Sequence, residues 1–234
     1  MRQEYANKLL TLSRAGYETI AKDFSRTRGT FWNELLFTRD LIPDNARIID
    51  IGCGNGRFLS TIENKPVDYT GIDFSQGLIA VAEERYRDRP HTAFVVGDAL
   101  VLPFPDHAFD IAVSFAVLHH IPSRAYRIQF LKEAAHVVKP NGIIILTAWN
   151  VWNAKPATVL KFALKKLFRQ THTDFGDALL DFGKEKEVRF VHALTPHTIR
   201  SLAQEAGLTI TRLETIRRPS GEENFFVVLR TSSV

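Results

Sequence analysis

The 234-residue sequence predicts a doubly wound α/β fold: a mainly parallel seven-stranded sheet ending in an antiparallel hairpin, with helical caps. Three observations predict it. Short apolar runs rich in branched residues recur between helical patterns, the order of strands joined by helical crossovers. The runs are continuously apolar, as in a parallel sheet covered on both faces. An apolar share of 45% and a charged share of 24% supply a sizeable core and exclude a disordered tail, a collagen-like repeat and a coiled coil.

The elements follow in order along one domain. Positions 1–42 read as an N-terminal helical cap, and 43–150 as the ligand-binding core. Arg47-Ile48-Ile49-Asp50-Ile51-Gly52 is a buried strand running into a glycine turn, with a helix expected over 56–62. Asp68-Tyr69-Thr70-Gly71-Ile72-Asp73 and Ala93-Phe94-Val95-Val96-Gly97-Asp98 repeat the form, each with an acid at its C-terminal end. Ser75 caps a helix over 75–86. Phe109-Asp110-Ile111-Ala112-Val113-Ser114-Phe115 is a fourth strand. A helix over 123–138 then stops at Pro140-Asn141-Gly142, before a fifth strand over 142–149. Positions 151–190 read as an inserted basic helical cap. The remainder, 191–234, holds a helix and two strands that flank Arg218-Pro219-Ser220-Gly221.

Thirty basic and 26 acidic residues leave a formal charge of +4, which mildly favours a polyanionic partner or membrane surface. Six cations against three acids fall between Arg2 and Arg28, so the excess is expected as a basic rim around an acidic pocket. The single cysteine, Cys53, permits no intrachain disulfide and fits a reducing compartment. It stands inside the glycine turn and reads as a packing residue. No apolar stretch is long enough for a membrane span, and positions 1–14 lack the apolar region of a secretory signal, so a cytoplasmic chain without stable membrane insertion is expected. The eight histidines show no ligand spacing, and no metal is assigned.

The chemistry starts at Asp50-Ile51-Gly52-Cys53-Gly54-Asn55-Gly56, directly on a strand-to-helix turn. A dinucleotide loop needs its third glycine at position 57, where Arg57 stands. The pattern is Asp-x-Gly-x-Gly-x-Gly instead. A carboxylate beside such a loop suits a cationic ligand group and repels a pyrophosphate. This loop and the acids after it resemble the class I S-adenosylmethionine-dependent methyltransferases (methyltransferase type 11 domain), over roughly 48–149. The resemblance implies a Rossmann-like fold and S-adenosylmethionine as cofactor, held by Asp50, Gly52, Gly54, Gly56, Asp73, Phe74, Asp98, Ala99 and Phe115. Asp73 would take the ribose hydroxyls, and Asp98 would approach the adenine amino group.

Methyl transfer requires in-line placement, which alone supplies about 7–11 kcal/mol of barrier reduction. His119 and His120 follow the fourth strand and are the catalytic candidates, as an acceptor-orienting or proton-removing pair. The alternative reading is a loop-forming pair. Tyr17-Glu18-Thr19-Ile20-Ala21-Lys22-Asp23-Phe24-Ser25-Arg26-Thr27-Arg28 with Trp32 resembles the N-terminal segment of the tRNA wobble-uridine carboxymethyl methyltransferases. Ala116-Val117-Leu118-His119-His120, Arg189-Phe190-Val191-His192 and Glu223-Asn224-Phe225-Phe226 are similar to the same family. Pro122, Tyr126 and the 152–188 region depart from its pattern. That resemblance implies tRNA as substrate, with Arg28, Trp32, Arg124 and Arg189 binding it, and a small activator subunit as possible partner. Arg26 and Arg127 are further cations of those segments. A small-molecule acceptor (a quinone, lipid or metabolite) is the alternative, as is a cofactor-binding protein without catalysis. An apolar pocket of Phe24, Trp32, Trp149 and Phe162 would favour the small molecule.

Within 155–169, Leu160, Ala163, Leu164, Leu167 and Phe168 share one helical face, with five cations and no acid. That face is expected to dock on the sheet, leaving the cations to meet a nucleic acid or a membrane surface.

Overall fold

The computed structural model describes residues 1–182 and 187–233. Its helices are α1 (Gln3–Thr27), α2 (Gln76–Arg85), α3 (Arg124–Val137), α4 (Val151–Ala154), α5 (Pro156–Leu167) and α6 (Pro196–Glu205). Its strands are β1 (Arg47–Ile51), β2 (Asp68–Asp73), β3 (Thr92–Val96), β4 (Phe109–Phe115), β5 (Val138–Trp149), β6 (Asp177–Phe182), β7 (Glu187–His192), β8 (Thr209–Arg217) and β9 (Glu223–Arg230). Seven strands form one sheet in the order β3-β2-β1-β4-β5-β9-β8. The first five are parallel, and β9 is antiparallel to both β5 and β8. The expected sheet and C-terminal hairpin are therefore present.

Burial on both faces explains the unbroken apolar strands. One face packs Ile49, Ala112 and Val227 against Phe130 and Leu131 of α3 and Leu202 of α6. The other packs Ile48, Ile111 and Phe226 against Phe31, Leu35, Phe58 and Leu59. Cys53 is buried, and a Cβ on Gly71 would stand 2.8 Å from its sulfur, so thiol and glycine pack face to face.

The N-terminal cap is fastened to the core at the start of α2. Ser75 accepts the Leu78 N–H at 3.2 Å, and its hydroxyl donates to the Glu18 carboxylate at 2.7 Å. Glu18, on α1, also accepts the Gly77 N–H at 3.0 Å. An acid thus sits at the positive end of α2, where it is stabilising. Ser75→Ala removes the cap and leaves Glu18 short of a donor. We expect a loss of about 1–2 kcal/mol, read as a lower midpoint in thermal unfolding; Ser75→Thr, which keeps the hydroxyl, should recover most of it.

Four expectations differ from the structure. Over 56–62 the chain makes turns and then a short 3-10 helix, Leu59–Ile62, because Gly54 and Gly56 take φ of 57° and 70° and leave few residues for an α-helix. The helix over 123–138 does stop before Pro140-Asn141-Gly142, at Val137, but the fifth strand starts at Val138 instead of 142 and runs through that triplet, with Asn141 at φ 61° and a register shift against β4. The 151–190 segment is helical only through Leu167, after which β6 and β7 pair antiparallel; positions 183–186 lie outside the described residues. Finally, the leucine face of α5 does not dock. The helix packs instead through buried Val159, with Phe162 beside it, onto Val151, Ala178 and Val191. Leu160, Leu164, Leu167 and Phe168 remain 57%, 47%, 64% and 67% exposed.

Candidate active site

The C-terminal ends of β1, β2, β4 and β5 open onto one cavity of about 260 Å³, where open α/β sheets bind ligands. Tyr17 and Phe24 of α1 and Arg189 of β7 also line it.

One wall is acidic. Gly52 takes φ 76°, a conformation that glycine adopts freely, and a Cβ there would come within 2.4 Å of Val117. The turn brings the Gly54 N–H to Asp73 Oδ2 at 2.9 Å, while Asp73 Oδ1 accepts the Ser75 N–H at 2.9 Å. Asp50 accepts the Tyr69 hydroxyl at 2.7 Å. Both carboxyls are buried. Burial pushes Asp50 up to about 7, against the Tyr69 hydrogen bond, and Asp73 up to about 6, against its backbone donors. Such a pair favours a ligand that brings positive charge. The Asn55 Oδ1 is buried without a hydrogen bond among the described residues. Glycine cradle, paired acids and orphan acceptor together fit a cationic amino acid derivative.

The rest of the lining is cationic and aromatic, and Arg57 of this set is close enough to Asp50 for each to shift the other. Arg57 stacks on Trp32, its guanidinium carbon 3.9 Å from the ring centroid, with Arg218 5.5 Å from the same ring. Arg28 lies 4.9 Å from the Phe24 ring and Arg189 5.5 Å from that of Trp149. Arg189 also hydrogen-bonds the Tyr17 hydroxyl. Glu34 and Glu222 pair with Arg218, whereas no carboxylate pairs with Arg57 among the described residues. Burial, then Arg28, brings Arg57 down to about 10; Arg28 is lowered by burial, then by Arg189. Guanidinium groups this close relieve their repulsion by binding an anion.

His119 and His120 also line the cavity, ring centroids 4.0 Å apart. His119 Nδ1 accepts the Trp149 N–H at 3.2 Å, which puts its proton on Nε2. His120 Nδ1 lies 2.9 Å from the Phe190 carbonyl, which only accepts, so Nδ1 carries the proton. Burial holds His119 well below its usual range and His120 down to about 3, leaving both neutral at neutral pH.

A model of a methyltransferase domain matches residues 49–146. The tRNA (carboxymethyluridine(34)-5-O)-methyltransferase of Arabidopsis thaliana is 34% identical over 133 residues, 57% of this chain and 31% of that protein. The chain therefore spans only about a third of that relative. A protein of Encephalitozoon cuniculi, assigned to the methyltransferases by name, is 30% identical over 205 residues, 74% of this chain and 90% of the relative. The chain belongs to the class I S-adenosylmethionine-dependent methyltransferases. Among solved structures, a Methanosarcina mazei SAM-dependent methyltransferase superposes with TM-score 0.72 at 23% identity, covering 88% of this chain and all of that one. The complex between the Haloferax volcanii Trm112 methyltransferase activator and its partner chain superposes with TM-score 0.69 at 16% identity, covering 95% of this chain and 98% of the matched one.

Of the residues expected at the methyltransferase's site, Asp50, Gly52, Gly54, Asp73, Phe74, Ala99, Phe115, His119, His120, Arg28, Trp32 and Arg189 line the cavity. Three do not. Gly56 packs behind the loop, where a Cβ would meet Tyr86 and Phe94. Asp98 is tied to Arg14 and to the Leu100 N–H, although its neighbours Gly97 and Ala99 line the cavity. Arg124 is held by Glu205 and Ser201 of α6. Arg127 is buried against the Ile121 carbonyl, and Arg26 pairs with Asp23. Phe162 lies in the α5 cluster instead of the cavity. Arg57 and Arg218 were missed as site residues. The basic excess expected as a rim is thus partly inside the pocket, among the same lining residues as its acids.

Proposed function

We propose that this methyltransferase esterifies the carboxymethyl group of a tRNA wobble uridine. The observation that carries the reading is that four arginines, Arg28, Arg57, Arg189 and Arg218, line the same cavity as Asp50 and Asp73. S-adenosylmethionine supplies an electrophilic methyl group on a sulfonium, and the acidic side with its glycine turn has the chemistry to hold the amino acid and ribose of that cofactor. The cationic side fits an acceptor that is itself an anion. A carboxylate with an ordinary pKa near 4 is ionised at neutral pH and loses no proton on methylation, so the reaction needs no base. Neutral His119 and His120 suit that: they can donate or accept hydrogen bonds and orient the acceptor without competing for a proton. Trp32 and Trp149 offer faces for a planar base, with Arg57 and Arg189 over them. Relatives named for this reaction support the same acceptor. In this reading the enzyme works on cytoplasmic tRNA, and a small activator of the kind seen in the Haloferax complex is a candidate partner.

Incubation with labelled S-adenosylmethionine should methylate tRNA that carries 5-carboxymethyluridine at the wobble position, and leave tRNA lacking that group unlabelled. The rich aromatic lining, Phe24, Phe31, Phe58 and Phe115, favours a second reading, a small aromatic carboxylic acid as acceptor. Label entering only a metabolite extract would select that reading and sink the first.

A further inference from the structure

The outer side of α5 differs from the solvent side of an ordinary surface helix. Among its outward residues, Leu160, Leu164, Leu167 and Phe168 form a nearly continuous apolar stripe, each about half exposed or more. Successive members stand four, three and one residues apart, the spacing of one helical face. The inward side is held separately by Val159, whose cluster with Val151 and Val191 anchors the helix to the β6–β7 layer. The outward stripe therefore takes no part in folding. It is flanked by cations: Lys155, Lys161, Lys165, Lys166 and Arg169, with no acid between positions 151 and 173. Trp152 and Phe175, at either end of the same stretch, are 41% and 61% exposed.

An apolar stripe edged by lysines on a helix too short and too charged to cross a bilayer is the pattern of an interfacial helix. Lysine stems lie along apolar acyl chains while their ammonium groups reach the headgroups. A nucleic acid would engage the cations and gain little from three leucines and a phenylalanine. We propose that α5 lays its outward face on an anionic lipid surface as a reversible contact, holding the enzyme at a membrane without spanning it.

The test is flotation of the full chain with two vesicle preparations, phosphatidylcholine alone and phosphatidylcholine mixed with phosphatidylglycerol. The protein should float with the mixed vesicles, at least about tenfold more than with neutral ones, and high salt should reduce recovery. Leu164→Glu with Leu167→Glu should lower recovery about tenfold at an unchanged melting midpoint, since both side chains face outward. Lys161→Glu with Lys165→Glu should lower recovery to the level seen in high salt. Absence of flotation, equal recovery on neutral vesicles, or full recovery of the leucine variant each overturns the proposal. So does a dimer in sedimentation that Leu164→Glu dissociates, or tRNA retention that depends on the leucines.

Discussion

Asp50→Asn is expected to make the ligand-free enzyme more stable above neutral pH while weakening S-adenosylhomocysteine binding about a hundredfold. Asp50 is buried and its pKa is raised from 3.8 to about 7. Between those values the folded protein holds a proton that the unfolded chain has lost. Its stabilising contribution is therefore complete below pH 4 and is lost as pH rises through about 7. One unit corresponds to about 1.36 kcal/mol, so ionised Asp50 costs the empty fold up to about 4 kcal/mol at pH 8. An asparagine keeps the Tyr69 hydrogen bond and removes the charge, but buries its own amide donors. A net gain of about 2 kcal/mol, or roughly 4–8 °C in melting midpoint at pH 8, is the expected result. A ligand amino cation reverses the balance: it favours the carboxylate, so binding at pH 6 should release a proton. Titration calorimetry in buffers of different ionisation enthalpy reads that release directly. It should shrink in the variant, leaving the smaller share of Asp73, whose pKa is raised to about 6. Unchanged proton release would show that Asp50 does not face the ligand's charge.

How much of this was legible beforehand depended on where each feature lies along the chain. The sheet was readable because burial on both faces forces continuous runs such as Ile48-Ile49 and Ile143-Ile144-Ile145. Asp50 and Asp73 were readable because each stands at the end of its own strand. The cationic wall was not, because Arg28, Arg57, Arg189 and Arg218 come from four separated stretches that only the fold assembles. Arg57 was noticed only as the residue that breaks a dinucleotide loop, yet its stacking on Trp32 is what places a cation beside the acidic turn. Amphipathicity in α5 identified which side chains share a face, but not which face meets the protein. Val159 and Phe162 make the narrower apolar strip and still win, since β6 and β7 provide a complementary cluster there. Those strands were themselves hidden inside a segment read from its helix.

Replacing Arg189 with methionine is expected to lower kcat/KM for carboxymethylated tRNA by about 100- to 1,000-fold, with S-adenosylhomocysteine affinity held within about twofold. Arg189 sits over Trp149 and bonds the Tyr17 hydroxyl, and unlike Arg57 it is not among the charges that shift Asp50. A guanidinium paired with a carboxylate contributes about 1.5–3 kcal/mol per charged hydrogen bond, and a fork makes two. The methionine fills much of the same volume, so the loss measures charge and geometry more than packing. Arg189→Lys separates those two: it keeps the charge without the fork, and should recover only part of the activity. Stability gives an independent reading. The neighbouring Arg28 is lowered in part by the charge of Arg189, so the empty cavity holds mutually repelling cations. Removing one should leave the melting midpoint of the ligand-free enzyme unchanged or raised, whereas a residue kept for structure would lower it. Activity lost together with cofactor affinity would place Arg189 on the cofactor instead, and the anionic acceptor would lose its strongest support.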